Sequence, residues 1–418
     1  MIKLNSSVTD SANFYAGRDP FDLVSEYGSP LYVYNESILR ARCREMKNLC
    51  TGSDFKVYYS IKANNNPSLL RIIKSEGLNA DAVSRGEIFI LLNSGYAPDE
   101  IFFVANNVSD DEIKYALDNG VLCSADSLTM LDRIGALKPG AAVAARFDPG
   151  VGVGHHDKVV TAGAGTKFGI DPRDIDEVKN ILKKYGLRLV GVNQHLGSLF
   201  MDDGEYLAGV KSLLTIAESF SDTLEFVDLG GGFGVPYGKQ SGEKRLDLAS
   251  LGERLNTIIN SFNARRDKKI VFRIEPGRYV VAECAVILGA VRAVKRSGAD
   301  IFAGTDIGMN VLMRPALYDS RHEIEVYRES GGPSVNFEEI SIVGNICESS
   351  DFIAHKKTLP EIREGDLIAV LDAGAYGYSM GSTYNGRPRP AEILIRADGG
   401  VDLIRRSQTM ESLLEGTF

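Results

Sequence analysis

The stretch Val57-Tyr58-Tyr59-Ser60-Ile61-Lys62-Ala63-Asn64-Asn65-Asn66 runs from β-branched and aromatic residues straight into three asparagines. This composition predicts a strand over residues 55–63 that ends where the asparagines begin. Alternation along the strand places Lys62 on the face opposite the apolar Val57 and Ile61. A lysine there is either an ordinary solvated residue or an amine whose pKa is lowered in a pocket, as a Schiff-base nucleophile requires.

The size and composition of the chain indicate a soluble protein with more than one structural part. Its 418 residues exceed one ordinary core, so we expect two domains, or one barrel plus an addition. Apolar residues make up 44% and charged residues 25% of the chain, as in typical globular proteins. The net charge of -9 argues against nucleic-acid or anionic-membrane partners, which favour a basic surface.

Targeting and cysteine patterns predict a cytoplasmic protein. Residues 1–10 lack the basic and apolar regions of a signal peptide, and no apolar run approaches the roughly 20 residues of a membrane span. The five cysteines are odd in number, scattered and without a CxxC pair. We therefore expect a reducing compartment, no disulfide framework and no metal site.

Strand-like and helix-like segments alternate from residue 31 to about residue 277. Eight strands are predicted, at residues 55–63, 78–83, 101–105, 121–125, 141–147, 189–195, 224–229 and 270–275. Helical patterns surround them, beginning with residues 35–49, for which Asn35 or Ser37 is available as N-cap. This is the element count of a (β/α)8 TIM-like barrel, predicted over residues 30–278. A doubly wound open sheet remains the alternative, because counting elements does not prove closure.

After Arg278 the predicted helices stop and turn-linked strands follow. These strands are predicted at residues 279–294, 300–306, 322–328, 338–346 and 367–371, with a final pair within 391–406. The sequence therefore predicts an all-β second domain over residues 279–418, joined by residues 1–29.

Polar side chains lie at the predicted carboxyl ends of the barrel strands, where barrel enzymes collect their catalytic groups. They are Lys62, Asp81, Ser84, Arg146, Asp148, His195, Asp228, the glycine run at 230–234, Arg273 and Glu275. Each also has a structural interpretation: the glycine run could be a tight turn and His195 a core histidine. Arg273 could simply pair with Glu275.

Four of these features together are harder to explain structurally. Pyridoxal phosphate (PLP) requires an amine for an imine, a carboxylate for its pyridinium nitrogen and an imidazole to stack on its ring. Its phosphate suits successive backbone N–H groups in a glycine turn after a strand. The sequence therefore predicts PLP as the cofactor, attached at Lys62.

The same residues resemble a known family. Tyr59-Ser60-Ile61-Lys62-Ala63-Asn64, His195-Leu196-Gly197-Ser198 and Glu275-Pro276-Gly277-Arg278 resemble motifs of the alanine-racemase-fold PLP decarboxylases. Residues 310–318, Cys347-Glu348-Ser349, Gly374-Ala375-Tyr376-Gly377 and Tyr384-Asn385-Gly386-Arg387-Pro388 are similar to the diaminopimelate decarboxylase branch, as is the loop at 150–166. The resemblance covers nearly the whole chain.

The resemblance implies a role for each matching position. Lys62 would carry the cofactor as an imine, Glu275 would keep its ring nitrogen protonated, and His195 would stack on the ring. The remaining cofactor contacts would come from Asp81, Ser198, Gly231, Gly232, Gly234, Gly277, Arg278 and Tyr376. The substrate would contact Arg278, Arg314, Tyr318, Glu348 and Tyr376.

The resemblance also implies a homodimer. In the family, the positions of Cys347 and Glu348 come from the neighbouring subunit, so the active sites would be shared between two copies. Cys347 would protonate the reacting carbon and Glu348 would bind the distal amino group of the substrate. Without the resemblance, Cys347 would be taken for a small buried hydrophobic residue.

The activity implied is PLP-dependent decarboxylation of meso-2,6-diaminopimelate to L-lysine, the last step of lysine synthesis. The alternatives are a related decarboxylase or racemase acting on ornithine, lysine or arginine, and a non-enzymatic PLP carrier. Two departures from the family pattern concern substrate specificity: Asn345 stands where glycine is common, and Leu199 stands where glutamine often occurs.

Overall fold

The structure is a computed structural model of the chain, and it describes residues 1–5, 8–150, 153–154, 167–220, 222–330 and 336–418. The chain divides into two compact units. The barrel unit comprises Arg40–Val235 and Arg245–Val280, and the β-rich unit comprises Met1–Leu39, Pro236–Lys244 and Val281–Phe418. The sequence prediction places the boundary at residue 30. Most of the loop 150–166 singled out in the sequence lies outside the described residues.

The barrel unit contains a closed ring of eight parallel strands, which confirms the predicted (β/α)8 fold class. In ring order the strands are Phe55–Ser60, Asn79–Ala82, Ile101–Phe103, Leu122–Ala125, Ala142–Arg146, Arg188–Asn193, Phe226–Asp228 and Val271–Ile274. The ring closes where Phe272 pairs with Phe55. Closure excludes the doubly wound open sheet.

Helices follow the barrel strands, and short polar side chains begin several of them. The longer helices are Glu36–Lys47, Pro67–Ser75, Arg85–Asn93, Asp110–Asp118, Leu128–Leu137, Ile175–Tyr185, Gly204–Glu218 and Leu248–Asn263. Asn35 caps the first by accepting the N–H of Ile38, which confirms Asn35 among the two predicted caps. Ser84 accepts the N–H of Glu87, so the strand carrying Asp81 passes directly into a helix.

The predicted first strand is three residues too long. It ends at Ser60, and Ile61–Ala63 forms a single 3-10 turn that contains Lys62. The turn follows a buried strand end, where the Ser60 N–H donates to the Pro276 carbonyl at 3.2 Å. Alternation therefore does not fix the direction of Lys62, because the strand geometry has already ended.

Inside the barrel, aromatic side chains fill the interior beneath the strand ends. Phe102 packs edge-on against both Tyr58 and Phe226, with ring centroids 6.2 Å and 5.5 Å apart. The Arg273 guanidinium lies 3.4 Å from the centre of the Phe226 ring and 4.7 Å from that of Tyr58. Arg273 is thus held by aromatic faces, and no ion pair between Arg273 and Glu275 occurs among the described residues.

The β-rich unit is built on a ten-stranded, mostly antiparallel sheet, which confirms the predicted all-β character. The strands are Ile2–Lys3, Leu31–Asn35, Ala285–Ser297, Asp300–Thr305, Ile324–Arg328, Phe337–Val343, Phe352–Pro360, Leu367–Val370, Ala391–Ile395 and Val401–Arg405. The long strand Ala285–Ser297 pairs with Leu31–Asn35, Leu367–Val370 and Asp300–Thr305.

The expectation that helices stop after Arg278 is wrong. Arg278–Val281 and Arg314–Tyr318 are short helices, and the strand predicted from residue 279 begins only at Ala285. The strand Phe352–Pro360 was not predicted, because its exposed lysines and histidine break the apolar alternation. No helix in the described ranges is long and apolar enough to cross a bilayer.

Candidate active site

The mouth of the barrel collects three buried carboxylates from three different strand ends. Asp81, Asp228 and Glu275 are 1%, 0% and 5% exposed. Asp81 Oδ2 accepts the Ser60 hydroxyl at 2.6 Å, and Asp228 Oδ1 accepts the Gly230 N–H at 2.9 Å. The second oxygens of these two groups, and Oε1 of Glu275, have no hydrogen-bond partner among the described residues. Buried oxygens of this kind indicate a missing donor.

Burial and mutual repulsion disfavour the ionised form of these carboxylates. Burial raises the pKa of Asp81 to about 7 and that of Asp228 to about 6. The pKa of Glu275 lies well above its ordinary value, because the group is buried and faces the charges of Asp228 and Asp81. The nearby cationic Lys62 and Arg146 oppose this rise. A cationic group bound against Glu275 would favour its ionised form.

His195 faces the same region as a neutral imidazole. Its pKa is well below the ordinary value, because protein atoms surround it and because Lys62 and Arg146 present positive charge to it. The Gly231 N–H donates to Nδ1 of His195 at 3.4 Å, so the proton of the neutral ring belongs on Nε2. The neighbouring Arg146 pairs with Asp126 at 3.2 Å.

The glycine turn at 230–234 is packed so tightly that side chains are excluded. A Cβ at Gly231 would lie 2.0 Å from the Glu275 carbonyl oxygen, and one at Gly230 would lie 2.3 Å from that of Gln194. Gly232 has a φ of +104°, which favours glycine. The turn is thereby pressed against the strand ends that carry His195 and Glu275.

Backbone donors of this turn are only partly used. The Gly234 N–H donates to the Phe200 carbonyl at 3.0 Å, whereas the Gly232 N–H has no acceptor among the described residues. Close by, Arg278 Nη2 donates to the Ser198 hydroxyl at 3.0 Å. The turn can therefore offer an anion some of its N–H groups, together with the Arg278 guanidinium.

Ser60 and Asp228 were not assigned roles from the sequence, yet they lie within the carboxylate group. Ser60 Oγ contacts both Asp81 and the Glu275 carbonyl, the latter at 3.1 Å. Asp228 ends the seventh strand and anchors the glycine turn. A signal for Asp228 existed, because a carboxylate directly before a glycine run can cap that turn.

The remaining candidate residues lie in the β-rich unit. Arg314 is 1% exposed, and its guanidinium lies 4.5 Å from the centre of the Tyr237 ring. Arg314 Nη1 lies 2.7 Å from Nε2 of His322, whose Nδ1 lies 2.7 Å from the Leu371 carbonyl. Nδ1 therefore donates and Nε2 accepts, which fixes the Arg314 fork in one orientation.

Tyr318 and Tyr376 lie at special backbone positions of the same unit. Tyr318 ends the short helix that Arg314 begins. Tyr376 adopts a φ of 56°, and the following Gly377 has no room for a Cβ, which would meet the Ala373 carbonyl at 2.4 Å. Backbone strain at a non-glycine residue is typical of positions where a side chain is held for function.

Cys347 and Glu348 lie on an exposed loop of this unit, unlike the four other cysteines, which are buried. The Cys347 N–H donates to Asn385 Oδ1 at 2.8 Å, and the Tyr384 hydroxyl donates to Glu348 Oε1. The structure thus places the predicted site residues in two groups, one in each unit.

Comparison with known proteins identifies the family of the chain. Residues 36–282 match the family described as pyridoxal-dependent decarboxylase, pyridoxal binding domain, which is the class that the barrel and its mouth define. Diaminopimelate decarboxylase of Methanothermobacter thermautotrophicus is 40% identical, with 96% of this chain and 94% of that protein covered. That of Thermoplasma acidophilum is 35% identical, with 97% of each covered.

A solved structure is similar over nearly the same length. It is the crystal structure of diaminopimelate decarboxylase from Helicobacter pylori complexed with L-lysine, with a TM-score of 0.87 and 30% identity. The alignment covers 95% of this chain and 98% of that one. The chain belongs to the diaminopimelate decarboxylase family of carboxy-lyases.

Proposed function

We propose that the chain decarboxylates meso-2,6-diaminopimelate to L-lysine and carbon dioxide, with PLP as cofactor. The observation that carries this proposal is Glu275, a buried carboxylate in the barrel mouth whose Oε1 lacks a donor. A protonated pyridine nitrogen is a donor that would satisfy it. The names of the relatives support the choice of substrate.

The residues of the barrel mouth fit PLP. Lys62 supplies the amine, His195 a neutral ring for stacking, and Glu275 the acceptor for the ring nitrogen. The phosphate would be held by Ser198, Gly277, Arg278 and the turn containing Gly231, Gly232 and Gly234. The resemblance adds Tyr376, which belongs to the β-rich unit. Gly234 would act by permitting close packing, since its N–H is already bonded to Phe200.

When bound, PLP supplies an electron sink for the pair left on Cα after carbon dioxide departs. The protein's part is to hold protons at defined atoms. Glu275 stabilises the ring-nitrogen proton, because an ionised carboxylate opposite that nitrogen raises its basicity. Asp81 lies close enough to Lys62 for their charges to interact, and it would help to orient the amine.

The β-rich unit supplies the residues proposed for the substrate. Arg314 offers a fixed guanidinium fork suited to the distal carboxylate, assisted by Tyr318. The resemblance adds Arg278, which belongs to the barrel unit. Glu348 would bind the distal ammonium group, and Cys347 would deliver the proton to Cα. We propose a homodimer in which Cys347 and Glu348 of one copy complete the site of the other, as the resemblance implies.

Reduction with borohydride tests the attachment of the cofactor. We expect a pyridoxyl adduct on the peptide carrying Lys62, because reduction turns an imine into a stable amine. Lys62→Arg should abolish the adduct. Lys56→Arg, which changes an exposed lysine of the same strand, should keep it. An adduct at any other lysine would contradict the assignment of Lys62.

Carbon dioxide release from a panel of diamino acids tests the substrate. Diaminopimelate should react far faster than ornithine, lysine or arginine, since those lack the distal carboxylate that Arg314 is proposed to bind. Arg314→Ala should raise KM for diaminopimelate by about a hundredfold or more. The control Arg296→Ala removes a surface partner of Glu338 and should not change KM. Equal rates for all four substrates would exclude the proposed contact between Arg314 and the distal carboxylate.

A further inference from the structure

The loop at 344–351 carries Cys347 and Glu348 and is tied together at its base by Asp351. This carboxylate is 4% exposed and accepts the N–H of Ile346 at 2.7 Å and that of Met309 at 2.6 Å. The backbone closes the same turn, because the Asp351 N–H donates to the Glu348 carbonyl at 3.1 Å. The base is therefore held by Asp351 and the Met309 backbone, without a contribution from Tyr384 or Asn385.

The tip of the loop, Cys347 and Glu348, is held by different contacts from those at its base. Cys347 and Glu348 are exposed, so packing does not hold them. Within the described residues, the turn at 384–386 holds them by two hydrogen bonds: Asn385 Oδ1 accepts the Cys347 N–H, and the Tyr384 hydroxyl donates to the Glu348 carboxylate. One turn thus touches both residues for which the proposed function needs a fixed position.

Asn385 is suited to this contact by its backbone as well as by its side chain. Its φ of 57° and ψ of 25° lie in the left-handed region, which asparagine, aspartate and glycine tolerate better than other residues. That conformation brings Oδ1 to 2.8 Å from the Cys347 nitrogen. Glycine at this position would preserve the turn and remove the Oδ1 acceptor of the Cys347 N–H, whereas aspartate would preserve both the turn and the acceptor.

We infer that Asn385 and Tyr384 are positioning residues for the reaction, with separate effects. Asn385 fixes the backbone of Cys347 and hence the path of the proton to Cα. Tyr384 fixes the Glu348 carboxylate and hence the binding of the distal ammonium group. The inference rests on the proposed function, because it gives Cys347 and Glu348 the roles stated above.

Hydrogen exchange of the peptide covering residues 345–351 tests the contact without any measurement of activity. Asn385→Gly should increase exchange of the Cys347 amide about tenfold, since the amide loses its acceptor. Asn385→Asp should restore the exchange rate of the wild type. Tyr384→Phe should leave it unchanged, because the tyrosine hydroxyl bonds the side chain of Glu348.

Steady-state kinetics on the holoenzyme test the separation of roles. Asn385→Gly should lower kcat about tenfold with KM within twofold, and Asn385→Asp should recover kcat. Tyr384→Phe should raise KM for diaminopimelate about fivefold with kcat within twofold. A purely structural role would change both parameters together in both variants, and that result would overturn the inference.

Cys347→Ser and Glu348→Gln separate this inference from the proposed function. If Cys347→Ser keeps the kcat of the wild type, the proton-delivery role fails and the Asn385 inference fails with it. If Cys347→Ser lowers kcat while Asn385→Gly retains it despite faster exchange, only the positioning role of Asn385 is overturned. If Glu348→Gln keeps the KM of the wild type, the ammonium-binding role fails and the Tyr384 inference fails with it. If Glu348→Gln raises KM while Tyr384→Phe leaves KM unchanged, only the positioning role of Tyr384 is overturned.

Discussion

Two buried carboxylates, Asp366 in the β-rich unit and Glu275 in the barrel unit, differ in how the protein satisfies their oxygens. In the β-rich unit, Asp366 is 3% exposed and receives two hydrogen bonds from the Arg328 guanidinium, at 2.8 Å and 2.7 Å. In the barrel unit, Glu275 is 5% exposed, and its Oε1 has no partner among the described residues. Asp366 is satisfied by the protein itself, whereas Oε1 of Glu275 remains available to a donor from a bound group.

The difference distinguishes structural charges from functional ones. A buried ion pair with good geometry holds two strands in place, and its loss leaves an uncompensated charge. A buried carboxylate without a donor costs stability and is tolerated where a bound group supplies the missing partner. Substitution of Glu275 should therefore lower kcat, whereas substitution of Asp366 should lower the free energy of unfolding.

The largest effect is expected for Glu275→Gln in the holoenzyme. The amide cannot stabilise a proton on the ring nitrogen, so kcat should fall about a thousandfold. The apoprotein should be as stable as the wild type or more stable, because the buried carboxyl group whose Oε1 lacks a donor among the described residues has been removed. Decarboxylation kinetics and urea unfolding measure the two effects. A Glu275→Gln variant with the kcat of the wild type would show that Glu275, like Asp366, has no functional role.

Asp366→Ala should have the opposite outcome. We expect its free energy of unfolding to fall by about 3–5 kcal/mol, because Arg328 remains buried without its partner. Its kcat, measured where the protein is folded, should stay within twofold of the wild type. Chemical denaturation followed by far-UV circular dichroism measures the loss. A loss of kcat without a loss of stability would assign Asp366 to function instead.

The barrel carboxylates Asp81 and Asp228 should make a defined contribution to the pH dependence of apoprotein stability. Their pKa values are raised in the folded state, so between about pH 4 and pH 7 the folded protein binds more protons than the unfolded chain. Their contribution to stability should therefore be greatest near pH 4 and fall as the pH rises, whereas His195, whose pKa is lowered, contributes a slope of opposite sign below about pH 6.5. Each group still losing its proton contributes a slope of at most about 1.4 kcal/mol per pH unit.

Unfolding of Asp81→Asn across this range isolates one contribution. Its stability should exceed that of the wild type increasingly as the pH rises from about 4 to about 7, the pKa of Asp81. Asp228→Asn should show the same trend up to about pH 6. Parallel curves for wild type and Asp81→Asn would show that the pKa of Asp81 is not raised.

The smallest effect is expected for the unfolding free energy when either of two buried serines of the barrel, Ser60 or Ser124, is replaced. Ser60 donates to the Asp81 carboxylate and Ser124 to the Asn193 amide, both at 2.6 Å. Ser60→Ala should cost about 1 kcal/mol above pH 7, and less below it, because the bond to the ionised carboxylate is the stronger one. Ser124→Ala should cost a similar amount at every pH. If the free-energy cost of Ser60→Ala does not change with pH, the ionised Asp81 carboxylate does not strengthen its hydrogen bond with Ser60.

The order of strands and helices in the barrel could be predicted because each element has a local signal. Apolar alternation marked all eight strands, and Asn35 marked the start of its helix. The ends of elements were less predictable. The sequence predicts Lys62 on a strand, but the strand ends at Ser60 and Lys62 lies in a 3-10 turn, a boundary that no local pattern marks.

The β-rich unit was harder to predict for the same reason. Its strands come from the start, middle and end of the chain, as in the pairing of Ala391–Ile395 with Leu31–Asn35. The short helix Arg314–Tyr318 and the strand Phe352–Pro360 carry no clear period. Their conformation depends on neighbours that are distant in sequence, so a window of sequence cannot determine it.

The sequence by itself determined the class of fold and the chemical groups available, because apolar periodicity and residue type are local properties. It supplied an amine, an imidazole, a glycine turn and carboxylates at strand ends. The tertiary structure decided which carboxylates are satisfied. Arg328 reaches Asp366, whereas Arg273, two residues before Glu275, lies on aromatic rings. Hydrogen-bond satisfaction depends on the three-dimensional neighbours of each atom, and only folding brings those neighbours together.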